Sequence, residues 1–200
     1  DLNIMKQGQT LIDITNGALF GVDKVLKEAK PDIVLVHGDT STTFAGALAA
    51  FYNNVRIGHV EAGLRTHNIY SPFPEEFNRQ AVSIISKYNF APTELSKENL
   101  IREGKAEDSI YITGNTVIDA LKTTVSKKYK LCSSMDKVDF SKRVILVTAH
   151  RRENLGEPLE NICRAVKRIV EEFPDIEVVY PVHMNPVVKE TAQAILGELD

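Results

Sequence analysis

The chain has 200 residues, of which 43% are hydrophobic and 26% are charged, a composition typical of a globular protein with a buried core. Its formal net charge of −3 argues against nucleic acid or a membrane surface as a partner. Cys132 and Cys163 are far apart and fit no CxxC pattern, which suits a reducing cytoplasm, so we expect a cytoplasmic protein. No apolar run approaches the length of a membrane span.

Segments typical of helices and strands alternate through the first part of the chain. Apolar residues at helical spacing predict an amphipathic helix at residues 10–30, and the continuous apolar run at 31–39 predicts a central strand of a parallel sheet. The same reasoning predicts further helices at 40–54, 71–88, 93–104 and 116–129, and further strands at 55–63, 89–93 and 109–115.

Residues 128–143 interrupt this alternation because they are polar, rich in charge and lack apolar periodicity. A second series then begins, with a buried strand predicted at 143–150, helices at 157–173 and 185–200, and a strand at 175–183. The sequence therefore predicts an α/β protein with two parallel-sheet units. We assign residues 1–127 to the latter part of a first Rossmann-like domain, 128–142 to an interdomain connection, and 143–200 to the first part of a second Rossmann-like domain.

Four ionisable residues follow the predicted strands directly, namely Asp39, Glu61, His150 and His183. Ligands of open α/β sheets bind outside the carboxyl ends of the strands. The four residues come from both predicted units, so the pattern predicts a cleft between the units that is lined by acids and histidines. Such crowded groups shift one another's pKa values and can divide acid and base roles without a metal or redox cofactor.

Several of these acids also have a purely structural interpretation. Asp39 precedes a predicted helix, where an acid most often serves as an N-cap. Glu61 is a poor cap residue, but Arg65 is a suitable ion-pair partner for it. Glu75 and Glu76 lie in the first turn of a predicted helix, where the helix dipole favours acids. His150 alone is more often a satisfied polar residue than a catalyst.

The loop AHRREN at residues 149–154 places a histidine and two arginines, including Arg151, just before a predicted helix. Arginine forms bidentate contacts with phosphate, and a helix N-terminus attracts anions, so this loop is a candidate phosphate site. The sequence contains neither a Walker loop nor a GxGxxG fingerprint, and no cluster has the spacing of a zinc site.

Six motifs in a fixed order resemble those of the bacterial non-hydrolysing UDP-N-acetylglucosamine (UDP-GlcNAc) 2-epimerases. They extend from near the start of the chain to near its end and are VLVHGDTSTTFAGALAAFY, GHVEAGLRT, YSPFPEEFNR, ITGNTVIDAL, LVTAHRRENLGEP and VVYPVHMNPVV. The resemblance implies the glycosyltransferase-B fold, in which two Rossmann-like domains surround a deep cleft, with UDP bound by the second domain. It also implies no cofactor and no metal.

The implied reaction interconverts UDP-GlcNAc and UDP-N-acetylmannosamine. Because the hydrogen on sugar C2 is not next to a carbonyl, the family eliminates UDP across C1–C2 to give 2-acetamidoglucal and then adds UDP back. The resemblance identifies Asp39, Glu61 and Glu75 as the catalytic carboxylates, and it places His150, with Arg151 beside it, near the sugar and the diphosphate.

The family also binds a second UDP-GlcNAc molecule as an activator beside the active site. Gln9 and His183 match positions of that regulatory site, whereas Gly8 lies where some relatives carry an arginine. Family members tend to be homodimers, which implies a homodimer here.

The sequence departs from the family pattern because it lacks the GTRPE-type phosphate loop and the SGGxQEE-type nucleotide clamp. We therefore expect the chain to be a central part of the enzyme that is inactive by itself. Three alternatives stay open: a hydrolysing epimerase that releases N-acetylmannosamine and UDP, a glycosyltransferase-B sugar transferase, and a non-catalytic fragment that binds a UDP-sugar.

Overall fold

The computed structural model describes residues 1–125 and 132–197. The chain divides into two compact units, Asp1–Ser126 and Lys127–Asp200. Part of the predicted connection, residues 128–131, and the end of the last predicted helix, residues 198–200, lie outside the described residues.

The first unit is built on a parallel sheet whose four strands lie side by side in chain order. The strands are β1 (Ile33–His37), β2 (Arg56–Val60), β3 (Tyr88–Ala91) and β4 (Ile110–Ile112). The helices are α1 (Leu11–Ala29), α2 (Ser41–Tyr52), α3 (Glu75–Ile85), α4 (Glu94–Arg102) and α5 (Thr116–Thr124). The predicted alternation of helices and strands is thus confirmed for this unit.

Hydroxyl and amide side chains begin most of these helices. Thr10 and Asp13 form a reciprocal capping box at α1, and Thr40, Thr93 and Asn115 accept hydrogen bonds from backbone amides at the starts of α2, α4 and α5. Alanines on α2 are fully buried, which allows the helix to pack closely on its neighbours. The main core of the unit consists of Leu26, Val36, Ala47, Ala49, Ala50, Ile57 and Val82.

In the part of the chain that the structure describes, β1 pairs with β2 along one side, and the side chain of Leu35 is 61% exposed. That residues 31–39 form a central strand of a larger sheet stays a prediction.

The second unit contains a two-stranded parallel sheet formed by β5 (Arg143–Leu146) and β6 (Ile176–Val179). The helices α6 (Glu157–Glu172) and α7 (Pro186–Leu196) pack on each other through Leu159, Cys163, Val188 and Ala192. In this two-stranded sheet every residue of β5 is exposed, and Leu146 is 68% exposed, so burial of the strand stays a prediction. The buried residues described for this unit lie between the two helices.

Among the described residues, every helix is too short or too polar to extend across a lipid bilayer.

Candidate active site

Asp39 and Glu61 lie just beyond the carboxyl ends of the neighbouring strands β1 and β2. The two connecting turns are joined by a hydrogen bond from the amide of Gly38 to the carbonyl of Val60, at 3.0 Å. The carboxylate of Glu61 approaches the same turn, because a Cβ atom built on Gly38 would lie 3.5 Å from Glu61 Oε2. The structure therefore brings the predicted acids of both strands to one edge of the sheet.

Glu61 has a left-handed backbone conformation, with φ of 66°. A non-glycine residue in this region is uncommon and costs on the order of 1 kcal/mol or more. Gly63, two residues later, has φ of 87° and packs against the carbonyl of Ser96. The turn that carries Glu61 is thus held against α4, and the strained residue is itself a predicted catalytic acid.

His37 lies close to the carboxylate of Glu61. Its Nε2 atom lies 3.7 Å from Glu61 Oε2 and 3.4 Å from the hydroxyl oxygen of Thr116 at the start of α5. The side chains of His37 and Glu61 are 58% and 26% exposed, so a ligand can reach both.

His59 is fully buried and donates a hydrogen bond from Nε2 to the carbonyl of Gly38, at 2.8 Å. Burial lowers the pKa of His59 to about 4, an effect that the positive charges of Arg65 and Arg79 reinforce and the hydrogen bond to Gly38 opposes. The imidazole is therefore neutral at physiological pH. It serves to tie the end of β2 to the turn that precedes Asp39.

The carboxylate of Asp39 is paired with the guanidinium of Arg79 from α3. Asn78, also from α3, donates to the backbone carbonyl of Asp39 at 2.8 Å. The expectation that Asp39 is an N-cap is wrong, because the hydroxyl of Thr40 caps α2 and the Asp39 side chain points to Arg79 instead. Helix capping therefore does not explain the presence of this acid.

Glu75 is the first residue of α3 and is partly exposed, whereas Glu76 beside it is fully buried. Glu76 is engaged by Arg79, by Gln80 and by the backbone amide of His67. Of the two adjacent acids, Glu75 is thus the one that solvent or a ligand can reach.

Arg65, which the sequence indicated as a structural partner for Glu61, is used elsewhere. Its guanidinium forms a two-point ion pair with Glu103, at 2.7 Å and 2.6 Å, and also donates to the hydroxyl of Ser83. The predicted pairing is therefore wrong, because Arg65 pairs with Glu103, which lies 38 residues further along the chain. Glu61 stays available for chemistry.

Asp39 and Glu61 differ in their electrostatic surroundings although they lie at the same edge. Asp39 faces a largely buried arginine, and Glu61 faces a half-exposed histidine. Two carboxylates with such different partners can divide the roles of proton donor and proton acceptor.

In the second unit, the rings of His150 and His183 stack, with 5.0 Å between their centroids. The loop before His150 is fixed by Tyr180, whose hydroxyl donates to the carbonyl of Ala149 at 2.8 Å. His183 Nδ1 accepts a hydrogen bond from the amide of Asn185, which sets the orientation of this ring. The two predicted histidines are therefore neighbours at one end of the β5–β6 sheet.

The remaining predicted residues have less specific surroundings. Arg151 is 71% exposed and lies 3.7 Å from the carboxylate of Glu153. Gln9 donates to the carbonyl of Ile4 and accepts from the amide of Lys6, so its side chain holds the turn before α1. Gly8 lies in that turn, with open space around its Cα.

Sequence reasoning missed Arg79 and Tyr180. Arg79 follows Glu76 by three residues and Gln80 follows it by four, which is the spacing of side-chain pairs on a helix, so the sequence did contain a signal for this network. The contact between Tyr180 and Ala149 spans 31 residues and has no comparable local signal.

Comparison with known proteins identifies the family. A family model described as UDP-N-acetylglucosamine 2-epimerase matches residues 1–200. The UDP-N-acetylglucosamine 2-epimerase of Bacillus subtilis is 60% identical over 200 residues, which is 100% of this chain and 52% of that protein. The chain therefore spans about half the length of the curated relatives it matches.

Solved structures agree with this match. A UDP-N-acetylglucosamine 2-epimerase structure from Listeria monocytogenes superimposes with a TM-score of 0.92 at 55% identity, covering 98% of this chain and 51% of that one. The Neisseria meningitidis enzyme bound to UDP-GlcNAc gives a TM-score of 0.89 at 45% identity, covering 100% of this chain and 56% of that one. These similarities confirm the predicted fold of glycosyltransferase-B type.

The family model matches all 200 residues, one relative is 60% identical, and a solved structure superimposes closely. The expected acids and histidines also follow the strands of this chain. The chain therefore belongs to the UDP-N-acetylglucosamine 2-epimerase family.

Proposed function

We propose that residues 1–200 form part of a non-hydrolysing epimerase that interconverts UDP-GlcNAc and UDP-N-acetylmannosamine. The observation that carries this proposal is the convergence of Asp39 and Glu61, with different partners, at one edge of the first sheet. Support also comes from the Neisseria relative, whose structure holds UDP-GlcNAc.

The chemistry explains why more than one carboxylate is needed. A carbanion at sugar C2 would lack a carbonyl to stabilise it, so the C2 hydrogen leaves as the C1–O bond to UDP breaks, giving 2-acetamidoglucal. Re-addition of UDP then returns a proton to the opposite face of C2. One group must accept the proton on one face, and another must deliver a proton on the other.

In this proposal, Asp39, Glu61 and Glu75 are the catalytic carboxylates. His150 acts near the sugar and the diphosphate, and Arg151 contacts phosphate, for which its exposed guanidinium is suited. The glycal must be kept from water during its lifetime, which a closed site would achieve. No metal or cofactor is required for these steps.

We further propose that Gln9 and His183 contribute to a site for a second UDP-GlcNAc molecule that acts as an activator, and that the protein works as a cytoplasmic homodimer. A cavity of about 550 Å³ beside Gln9, lined also by Ile4, Lys6 and Asp13, supports a ligand in this region.

Isotope exchange tests the reaction. Because the chain spans about half the length of its relatives, each activity test uses the full-length protein, and residues 1–200 alone should show no turnover. Incubation with UDP-GlcNAc in heavy water should give both UDP-sugars with deuterium at C2.

The same assay separates the alternatives. Free N-acetylmannosamine and UDP as products would identify a hydrolysing epimerase. Transfer of the sugar to an acceptor without deuterium at C2 would identify a sugar transferase. Binding of the UDP-sugar without any turnover would identify a non-catalytic protein, and each of these results would overturn the proposal.

A further inference from the structure

Glu76 is the one acidic residue, among those the structure describes, whose side chain is fully buried. Its Oε1 atom accepts from Gln80 at 2.9 Å and from the amide of His67 at 3.1 Å, and its Oε2 atom accepts from Arg79 at 3.1 Å. A buried carboxylate is costly unless it is paired, and here both oxygens have donors. Nothing in this arrangement leaves Glu76 free to contact a substrate.

Arg79 connects Glu76 to the predicted catalytic acid. One guanidinium nitrogen donates to Glu76, and the other donates to Oδ2 of Asp39. The Arg79 side chain is only 12% exposed, so the two carboxylates share one largely desolvated cation. Charge-assisted hydrogen bonds of this kind fix geometry as well as adding energy.

Burial alone would favour the neutral form of Glu76. The hydrogen bond from Gln80, the backbone donors around His67 and the charge of Arg79 outweigh burial and hold the pKa of Glu76 below its ordinary value. The cluster around Asp39 therefore contains a permanent negative charge. Its other charged and titratable neighbours are His59 and Arg65, with His37 and Glu61 at the adjoining strand ends.

We propose that Glu76 is a positioning residue that fixes the guanidinium of Arg79 and, through it, the carboxylate of Asp39. This inference rests on the proposed function, because it assigns Asp39 to proton transfer. Glu75 and Glu76 then have separate tasks although they are adjacent: Glu75 is accessible to a ligand, and Glu76 sets the orientation of Asp39.

Replacing Glu76 with glutamine tests this role. The variant keeps the shape of the side chain but removes its charge, so Arg79 is opposed by Asp39 alone. Because Arg79 and Asp39 would no longer be held in position, kcat should fall about 10-fold to 100-fold, with little change in KM.

Two comparisons isolate the effect in the full-length protein. Glu94→Gln removes an exposed acid from the first turn of α4 and should change neither kcat nor KM. Glu76→Asp keeps the charge that holds Arg79 but shortens the side chain, so it should lower kcat less than Glu76→Gln does.

Gln80→Met provides a further test if the Glu76 variants do not fold. It removes one donor to Glu76 from a half-buried position and should reduce kcat about 2-fold to 5-fold without changing KM. Unchanged kcat in a folded Glu76→Gln protein, or unchanged kcat in Gln80→Met when the Glu76 variants do not fold, would overturn the proposal. Absence of epimerisation in the wild-type protein would instead overturn the proposed function.

Discussion

His59 Nε2 lies 2.8 Å from the carbonyl oxygen of Gly38, and this hydrogen bond joins the end of β2 to the residue before Asp39. The imidazole is fully buried, and among the described groups its Nδ1 atom has no hydrogen-bond partner. A protonated ring at this place would be a buried charge next to Arg65 and Arg79.

The buried His59 predicts a specific dependence of stability on pH. Its pKa is about 4 in the folded protein and about 6.5 when unfolded, so the unfolded chain binds more protons between these values. Acidification from pH 6.5 to 4 should therefore remove up to ~3 kcal/mol from the free energy of unfolding. Urea unfolding at a series of pH values measures this loss.

Two variants check the assignment to His59. His59→Gln should reduce the slope of unfolding free energy against pH in this window by about 1.4 kcal/mol per pH unit, the value for one proton. His67→Asn removes an exposed imidazole and keeps a residue that tolerates the left-handed backbone at this position, so the slope should stay the same. An unchanged slope in His59→Gln would show that other groups cause the acid sensitivity.

Removing the charge of Asp39 should abolish most activity. Asp39→Asn keeps the size of the side chain but can no longer exchange a proton, so kcat for epimerisation should fall about 10²-fold to 10⁴-fold. Calorimetry should show that UDP still binds. The exposed Asp32, just before β1, supplies the matched variant Asp32→Asn, which should retain full activity. Comparable activity of the two variants would exclude Asp39 from proton transfer.

The hydroxyl of Tyr180 should affect catalysis through His150. Tyr180→Phe removes the hydrogen bond to the carbonyl of Ala149, which precedes His150, and should cost about 1 kcal/mol of stability. We expect kcat to fall several-fold because the backbone just before His150 is no longer held in place. Steady-state kinetics and thermal unfolding measure the two effects, with Tyr70→Phe, at a 75% exposed residue, as the neutral comparison. Wild-type kcat in Tyr180→Phe would contradict this role.

Gly63 is required by both its backbone and its surroundings. A Cβ atom there would lie 2.1 Å from the carbonyl oxygen of Ser96, and φ is 87°. Gly104 has nearly the same φ, 86°, but open space around it. Gly104→Ala should therefore cost only the conformational penalty, about 1–2 kcal/mol.

Gly63→Ala should cost clearly more, because a backbone atom must move, and it should lower activity by displacing Glu61. Chemical denaturation of both variants separates the conformational penalty from the cost of the close approach to Ser96. Equal destabilisation by the two substitutions would show that the backbone around Ser96 moves away without a cost in stability.

The sequence predicted the order of helices and strands because each element carries its own periodicity and its own end signals. Thr40 and Pro158 are examples of such signals, since they lie at the starts of α2 and α6. Placing Asp39 and Glu61 at strand ends required only that parallel strands end at a common edge.

The partners of those acids were not predictable in the same way. Arg79 reaches Asp39 across 40 residues, and Arg65 selects Glu103 rather than Glu61. Such choices depend on how α3 and α4 pack on the sheet, which local spacing does not determine.

Each of the two strand-end histidines contacts the turn that follows the other strand. His37 precedes Asp39 in sequence yet approaches Glu61, whereas His59 precedes Glu61 yet holds the turn of Asp39. Substitutions at the two strands should consequently show epistasis: altering one histidine changes the setting of the acid on the other strand. The two acids are therefore structurally coupled, and a change at one strand end alters the surroundings of the acid at the other.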